Sequence, residues 1–225
     1  MEKKERRFDL AKDLKRGERF KLKKEELESI QVDLNWKAGA DLDAVAFLLD
    51  EDGVIPEDSD FVYYKSEHRC TPWPDAELKP YDRAVYGAKK TWRDETVPCS
   101  QDMAVIGSAD DVGDGEEDSE NDESGETMHV VLSKVRPEIT EIVFCVTIYD
   151  KDGNTTFNSV RDPQIVITNE ETGEVLCKYD LKEHFSTETA VVVGALVLNE
   201  DGEWEFEAVG KGYNGGIETL VDMYA

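Results

Sequence analysis

The sequence predicts an all-β fold, a two-sheet β-sandwich carrying a long acidic loop and an inserted segment. Three observations carry that reading. Short segments rich in Val, Ile and aromatic residues recur along the chain, several with in–out alternation. Turn-forming pairs such as Asp52-Gly53, Thr172-Gly173 and Asp201-Gly202 fall between them. A helical period is absent except in the basic N-terminal 15 residues and the last ten.

Taken in order, IQVDLNW (30–36), LDAVAFLL (42–49) and DFVYY (60–64) read as strands in the first third. TMHVVLS (127–133), IVFCVTIYD (142–150), PQIVITNE (163–170) and EVLCKYDL (174–181) follow. TAVVVGALVLNE (189–200) and EWEFEAVG (203–210) close the series, joined by Asp201-Gly202 as the clearest hairpin turn. In IVFCVTI and AVVVGALVL neither face is polar, which predicts central strands covered on both sides. Many short strands with regular turns specify a sandwich or barrel-like arrangement rather than an α/β one.

Two segments break the pattern. Residues 66–100 hold four of the seven prolines and two of the four tryptophans, and read as an ordered insertion with its own aromatic contacts. Residues 108–126 (SADDVGDGEEDSENDESGE) form an acidic loop with ten carboxylates between Asp110 and Glu126 and no basic residue. The rest, residues 1–225, reads as one domain.

Charge narrows the function. With 52 acidic and 26 basic residues the chain carries −26, which opposes binding to nucleic acid or adsorption to anionic lipid. No stretch reaches the ~18–20 apolar residues of a membrane-spanning helix, and the N-terminus has no apolar core for a secretory signal. Four cysteines in 225 residues are ordinary usage, so a cytoplasmic protein is the expectation.

The acidic loop admits two readings. Two carboxylates ~4 Å apart repel by about 1 kcal/mol in water and about 4 at an effective dielectric of ~20, so converging acids protonate, splay or bind a cation. Splaying leaves a solvated run. Gly113, Gly115 and Gly125 favour the alternative by letting backbone carbonyls wrap an ion. The donors are hard oxygens without His or Cys, which selects Ca²⁺ or Mg²⁺, and tolerant geometry favours Ca²⁺. An EF-hand is excluded: counted from Asp110, position 3 is Val112 and position 12 is Asn121. A second acidic group stands on strands. Asp41 and Asp43, two apart, share one side of a strand, and Asp60 heads the next apolar run as a ligand or a turn-former. Asp43, among Leu42, Ala44 and Val45, needs a partner or a metal.

Other chemistry is weakly supported. His68, Cys70 and Cys99 lack a fourth zinc ligand at ordinary spacing. Cys145 and Cys177 read as core residues, and Glu188 as a backbone-binding side chain at a strand start. His129 and His184 belong to no nucleophile–base set, so an enzyme is not expected. Gly210-x-Gly212-x-x-Gly215 follows the last strand with no βαβ unit after it.

Several blocks together carry a resemblance. VDLNWKAGADLDAVAFLLDEDG followed by DSDFVYY is similar to the opening of the TerD family of tellurium-resistance and general stress proteins, and KRGERFKLKK (15–24) resembles its first strand. LSKVRPEITEIVFCVTIYD, FNSVRDPQIVITNEETGEVLCKYDL and FSTETAVVVGALVLNEDGEWEFEAVGKGYNGGIETLV resemble its later blocks in the same order. The likeness covers about residues 14–65 and 97–222. It implies a sandwich binding calcium through acidic loops near one end, with Asp110 and Asp111 in the family's Asp-Asn pair and Glu126 as its final Glu. Asp114 and Asp122 are further candidate ligands, in a loop about five residues longer than the family's. Lys65 stands where the family has Asn, and residues 66–97 are inserted where it has a short connection.

The expectation is therefore a calcium-binding protein of stress or tellurite resistance that recruits a protein partner, membrane-bound or not, without catalysis. The alternative is an interaction module working through Trp73, Tyr81, Tyr86 and Trp92 of the insertion, with the acidic loop merely solvated.

Overall fold

A computed structural model describes residues 11–22, 27–37, 41–108, 123–149, 153–181 and 185–225. The strands are β1 (Lys12–Leu14), β2 (Arg19–Lys21), β3 (Ser29–Lys37), β4 (Asp41–Leu49) and β5 (Phe61–Val62). The insertion follows, with β6 (Arg69–Cys70), α1 (Arg83–Tyr86), α2 (Lys89–Asp94) and β7 (Val97–Pro98). Next come β8 (Val105–Gly107), β9 (Glu123–Val131), β10 (Glu141–Tyr149), β11 (Arg161–Asn169) and β12 (Val175–Asp180). β13 (Ala190–Leu198), β14 (Trp204–Tyr213) and α3 (Gly216–Tyr224) complete the chain.

Two six-stranded sheets face each other. One runs β1-β12-β11-β3-β9-β8 and the other β2-β14-β13-β10-β4-β5, with β6 and β7 pairing separately. All pairs are antiparallel except β1 with β12. Alternation decides which face is inward. Ile30, Val32, Leu34 and Trp36 of β3 meet Ile142, Phe144 and Val146 of β10 and Phe206 of β14 in the inter-sheet core. Burying each such side chain contributes about 1.5–3 kcal/mol before entropy is counted.

The outer face of the second sheet is apolar as well. Val45, Phe47, Val143, Cys145 and Val192 pack there beneath Leu220 of α3. That second layer explains why the runs of β10 and β13 show no polar face. The last ten residues, read as a weak helical period, supply this cover. DFVYY is strand only at Phe61–Val62. Ser66 turns the chain by donating to the Phe61 carbonyl oxygen and accepting from the Tyr63 amide.

One glycine is required by geometry. Gly210 has φ +58°, and a Cβ built on it would stand 2.0 Å from Tyr179 Oη. Its position beneath the Tyr179 ring closes β14 against the inter-sheet core.

Candidate functional site

The strand registers gather five strand ends at one end of the sandwich. β4 begins with Asp41 opposite Tyr149, the last residue of β10. β3 ends with Lys37 opposite Glu123, the first residue of β9. β8 ends with Gly107 opposite Met128, pointing the same way. The acidic run is thus tethered, through Gly107 and Glu126, beside the start of β4. Asp110, Asp111, Asp114 and Asp122 lie outside the described residues.

Three of the sequence-predicted acids stand at this end, on either side of the second sheet. Asp41 and Asp43 share its outer face with Val45 and Phe47, and Glu126 lies on the inter-sheet face with Met128 and Val130. Glu126, opposite Leu34, is 7% exposed and accepts a hydrogen bond from the Ala44 amide of the other sheet. Asp43, the residue before Ala44, is 6% exposed and pairs across the sheet with Thr147. Asp41 is exposed to solvent. All three bring hard carboxylate oxygens, as a calcium site requires. Among the described residues, no three His, Cys, Asp or Glu side chains are arranged to hold a metal ion.

Asp43 also lines a cleft of about 440 Å³ with Tyr63, Tyr64, Tyr149, Ile217 and Glu218. Burial lifts the Tyr64 hydroxyl above its usual range, and the Asp43 charge adds to this while a hydrogen bond with Lys65 opposes it. Lys65 lines the same cleft. Its Nζ lies 4.8 Å from the Tyr64 ring centre and 6.0 Å from that of Tyr149, so a side-chain cation already stands in the cleft beside Asp43.

Asp60 is not brought to this end. Phe61 pairs with Phe47, which puts Asp60 toward the Leu48 end of β4, and its side chain is fully buried. Asp60 Oδ2 accepts from Arg136 Nη2 at 2.7 Å and from the Glu57 amide at 3.2 Å. Burial outweighs the guanidinium and pushes the carboxyl pKa upward. Arg136 was missed in the sequence: it stands 76 residues from Asp60, and its own spacing carries no signal.

The remaining readings resolve as follows. Glu188 accepts from the Ser186 and Thr187 amides at 2.7 and 2.9 Å, as a backbone-binding side chain should. His129, which stands alone in sequence, is hydrogen-bonded to Glu170 and stacked on Trp73 with ring centres 5.4 Å apart. Trp92 is completely buried, its Nε1 donating to the Lys79 carbonyl at 3.0 Å, so it anchors the insertion internally and not a partner. Tyr81 packs edge-on against it. His184 lies outside the described residues.

The fold has counterparts among known proteins. The sequence profile of the TerD domain matches residues 10–72 and 98–224. General stress protein 16U of Bacillus subtilis (strain 168) is 32% identical over 207 residues, 88% of each chain. Tellurium resistance protein TerD of Serratia marcescens is 30% identical over 206 residues, again 88% of each. The fold matches the crystal structure of a homologue of the telluride resistance protein TerD from Streptomyces coelicolor A3(2). That match has a TM-score of 0.52 at 18% identity, covering 87% of this chain and 95% of that one.

Proposed function

The chain belongs to the TerD domain family, and from that membership we propose that it acts in stress and tellurite resistance as a calcium-binding protein that recruits a protein partner. The observation that supports this most is that two nearly buried carboxylates, Asp43 on the outer face of β4 and Glu126 against the Ala44 amide beside it, flank the sheet end where the ten-carboxylate run is tethered. A run of like charges tethered beside these carboxylates adds repulsion.

Asp41, Asp43 and the acids of the run, Asp110, Asp111, Asp114 and Asp122, would hold the ion, with Glu126 contributing its oxygen not bonded to Ala44. Bound calcium supplies positive charge that offsets this repulsion and draws the loop toward the sheets. Glu126 meanwhile keeps β4 and β9 in register with each other, and Tyr64 and Lys65 shape the neighbouring cleft where a partner side chain can enter. Direct chemistry on tellurite is not part of this reading, because a chain of −26 repels an oxyanion. Among the described residues, no helix is long and apolar enough to cross a membrane.

Calorimetry with CaCl₂ and thermal melts with and without EDTA test the proposal. Saturable heat, a calcium-dependent rise in Tm and a roughly tenfold or greater loss of affinity in Asp43→Asn are expected, with exposed Asp201→Asn as the unaffected control. Absence of both heat and Tm shift would refute it.

A further inference from the structure

The neck of the insertion presses two of the four cysteines together. In the β6–β7 pair, Arg69 stands opposite Pro98 and Cys70 opposite Val97. Cys99, two residues past Val97, therefore projects from the same face as Cys70. Both are completely buried in a small core with Val97 and Ile106. The register and the shared core thus set the two thiols side by side. His68 Nδ1 lies 3.4 Å from Cys99 Sγ. The neighbouring Arg69 guanidinium is buried too, donating to the Thr96 side chain at 2.9 Å and to its carbonyl at 2.8 Å. Cys145 and Cys177 belong to other cores, and no disulfide joins any of the four cysteines.

We propose that Cys70 and Cys99 are a disulfide-forming pair, oxidised by hydrogen peroxide, whose bond staples the neck of the insertion. The Cys70 thiolate attacks one peroxide oxygen: the S–O bond forms, the O–O bond breaks, and the departing hydroxide takes the Cys70 proton as water. The Cys99 sulfur then attacks the Cys70 sulfenic sulfur: the S–S bond forms, the S–O bond breaks, and a second water leaves with the Cys99 proton. The two thiols lose two electrons and peroxide gains them.

The surroundings set the order of attack. Cys70 is held below the usual thiol range by the Cys99 thiol beside it, with the charges of Arg69 and Lys134 helping against burial. The same contact, with burial, pushes Cys99 up. Cys70 is thus the thiol that ionises first, and Cys99 resolves.

Access comes from the insertion itself. Every residue from 74 to 91 is exposed or half-buried. What ties this stretch over the neck is a short set of contacts, the Lys79 amide to the Arg69 carbonyl and the Trp92 indole to the Lys79 carbonyl among them. Local opening that breaks these few contacts uncovers the pair. Peroxide enters the open neck, and the bond formed between residues 70 and 99 closes it. The stretch outside the TerD match, residues 73–97, lies wholly within that loop. The inference stands on the neck alone and is independent of calcium binding.

The test treats the full-length chain with hydrogen peroxide, alkylates it and digests it with trypsin without reductant. Expected are the loss of two of four free thiols, a mass lower by about 2 Da, and residues 70–83 linked to residues 94–134 until dithiothreitol is added. Cys70→Ser should keep its three thiols and form no link. As a second measurement, oxidised chain cut within residues 74–91 should run as one band without reductant and two with it. Four surviving thiols, a bond using Cys145 or Cys177, or two bands without reductant would overturn the proposal.

Discussion

Glu126 on β9 accepts a hydrogen bond from the backbone amide of Ala44 on β4, tying the two sheets together at the acidic end. β5 pairs β4 only at Ala46 and Phe47, so the Ala44 amide lies past the last residue that β5 covers. Glu126→Ala should strand that N–H and lower stability by about 1–3 kcal/mol. Glu126→Gln keeps an acceptor and should lose under about 1 kcal/mol while still weakening calcium binding. Urea melts and calorimetry on both variants separate the two roles. Equal stability losses would remove the tie from the account.

The Asp60–Arg136 pair makes a second, independent prediction. Removing one member of a buried pair costs about 3–5 kcal/mol, so Arg136→Met should be severely destabilised. Asp60→Asn/Arg136→Met should recover part of that loss, because no charge is then left unpaired.

Its pH dependence has an unusual sign. The Asp60 carboxyl titrates above its ordinary 3.8 in the fold, because burial disfavours the charge. The folded chain therefore binds this proton more tightly than the unfolded chain does. The resulting penalty is complete above the raised pKa and lifts as pH falls through it toward 3.8. Against Asp60→Asn, the natural chain should gain stability on acidification across that window. Parallel melts at stepped pH values check this, and a difference that is flat or grows with pH contradicts it.

Much of this architecture was readable in advance, and the failures have a common cause. β4, β10 and β13 followed from short-range patterns: β-branched runs, turn pairs and a missing polar face. That Glu126 reaches the Ala44 amide carries no short-range signal, since 82 residues separate them in the sequence. Asp60 went astray because its place depends on the β4–β5 register and on Arg136, neither encoded near it. The three-residue β8 was unread because three residues carry no period. Trp92 reads as an interface aromatic by composition, whereas its indole N–H has an internal carbonyl partner.

Gly210 and Tyr179 should be coupled. Gly210→Ala imposes a left-handed φ on a Cβ residue and drives that Cβ to 2.0 Å from Tyr179 Oη. A loss of about 2–4 kcal/mol is expected from strain plus displaced packing. Tyr179→Phe alone should be neutral or stabilising, because Tyr179 Oη is buried without a hydrogen-bond partner. In the double variant the clash with oxygen is gone, so part of the Ala penalty should return. A double-mutant cycle measured by denaturant melts reads the coupling, and strict additivity contradicts the contact.

Lys65 offers the sharpest test of the calcium reading. Its ammonium stands over Tyr64 and Tyr149 in the cleft that Asp43 lines, and the Tyr64 hydrogen bond holds its pKa up, so it is charged at neutral pH. A fixed positive charge ~8 Å from a bound ion, at an effective dielectric of ~40, opposes each elementary charge on that ion by about 1 kcal/mol. Lys65→Asn removes the repulsion and restores an amide oxygen. Calcium affinity should rise roughly tenfold or more at low salt, and the gain should shrink as ionic strength shortens the screening length. Lys65→Met removes the charge without adding an oxygen, so any margin between the two variants measures the oxygen alone. If calorimetry finds both variants binding calcium no better than the natural chain, the ion does not sit at this end of the sandwich, whatever else the acidic run does.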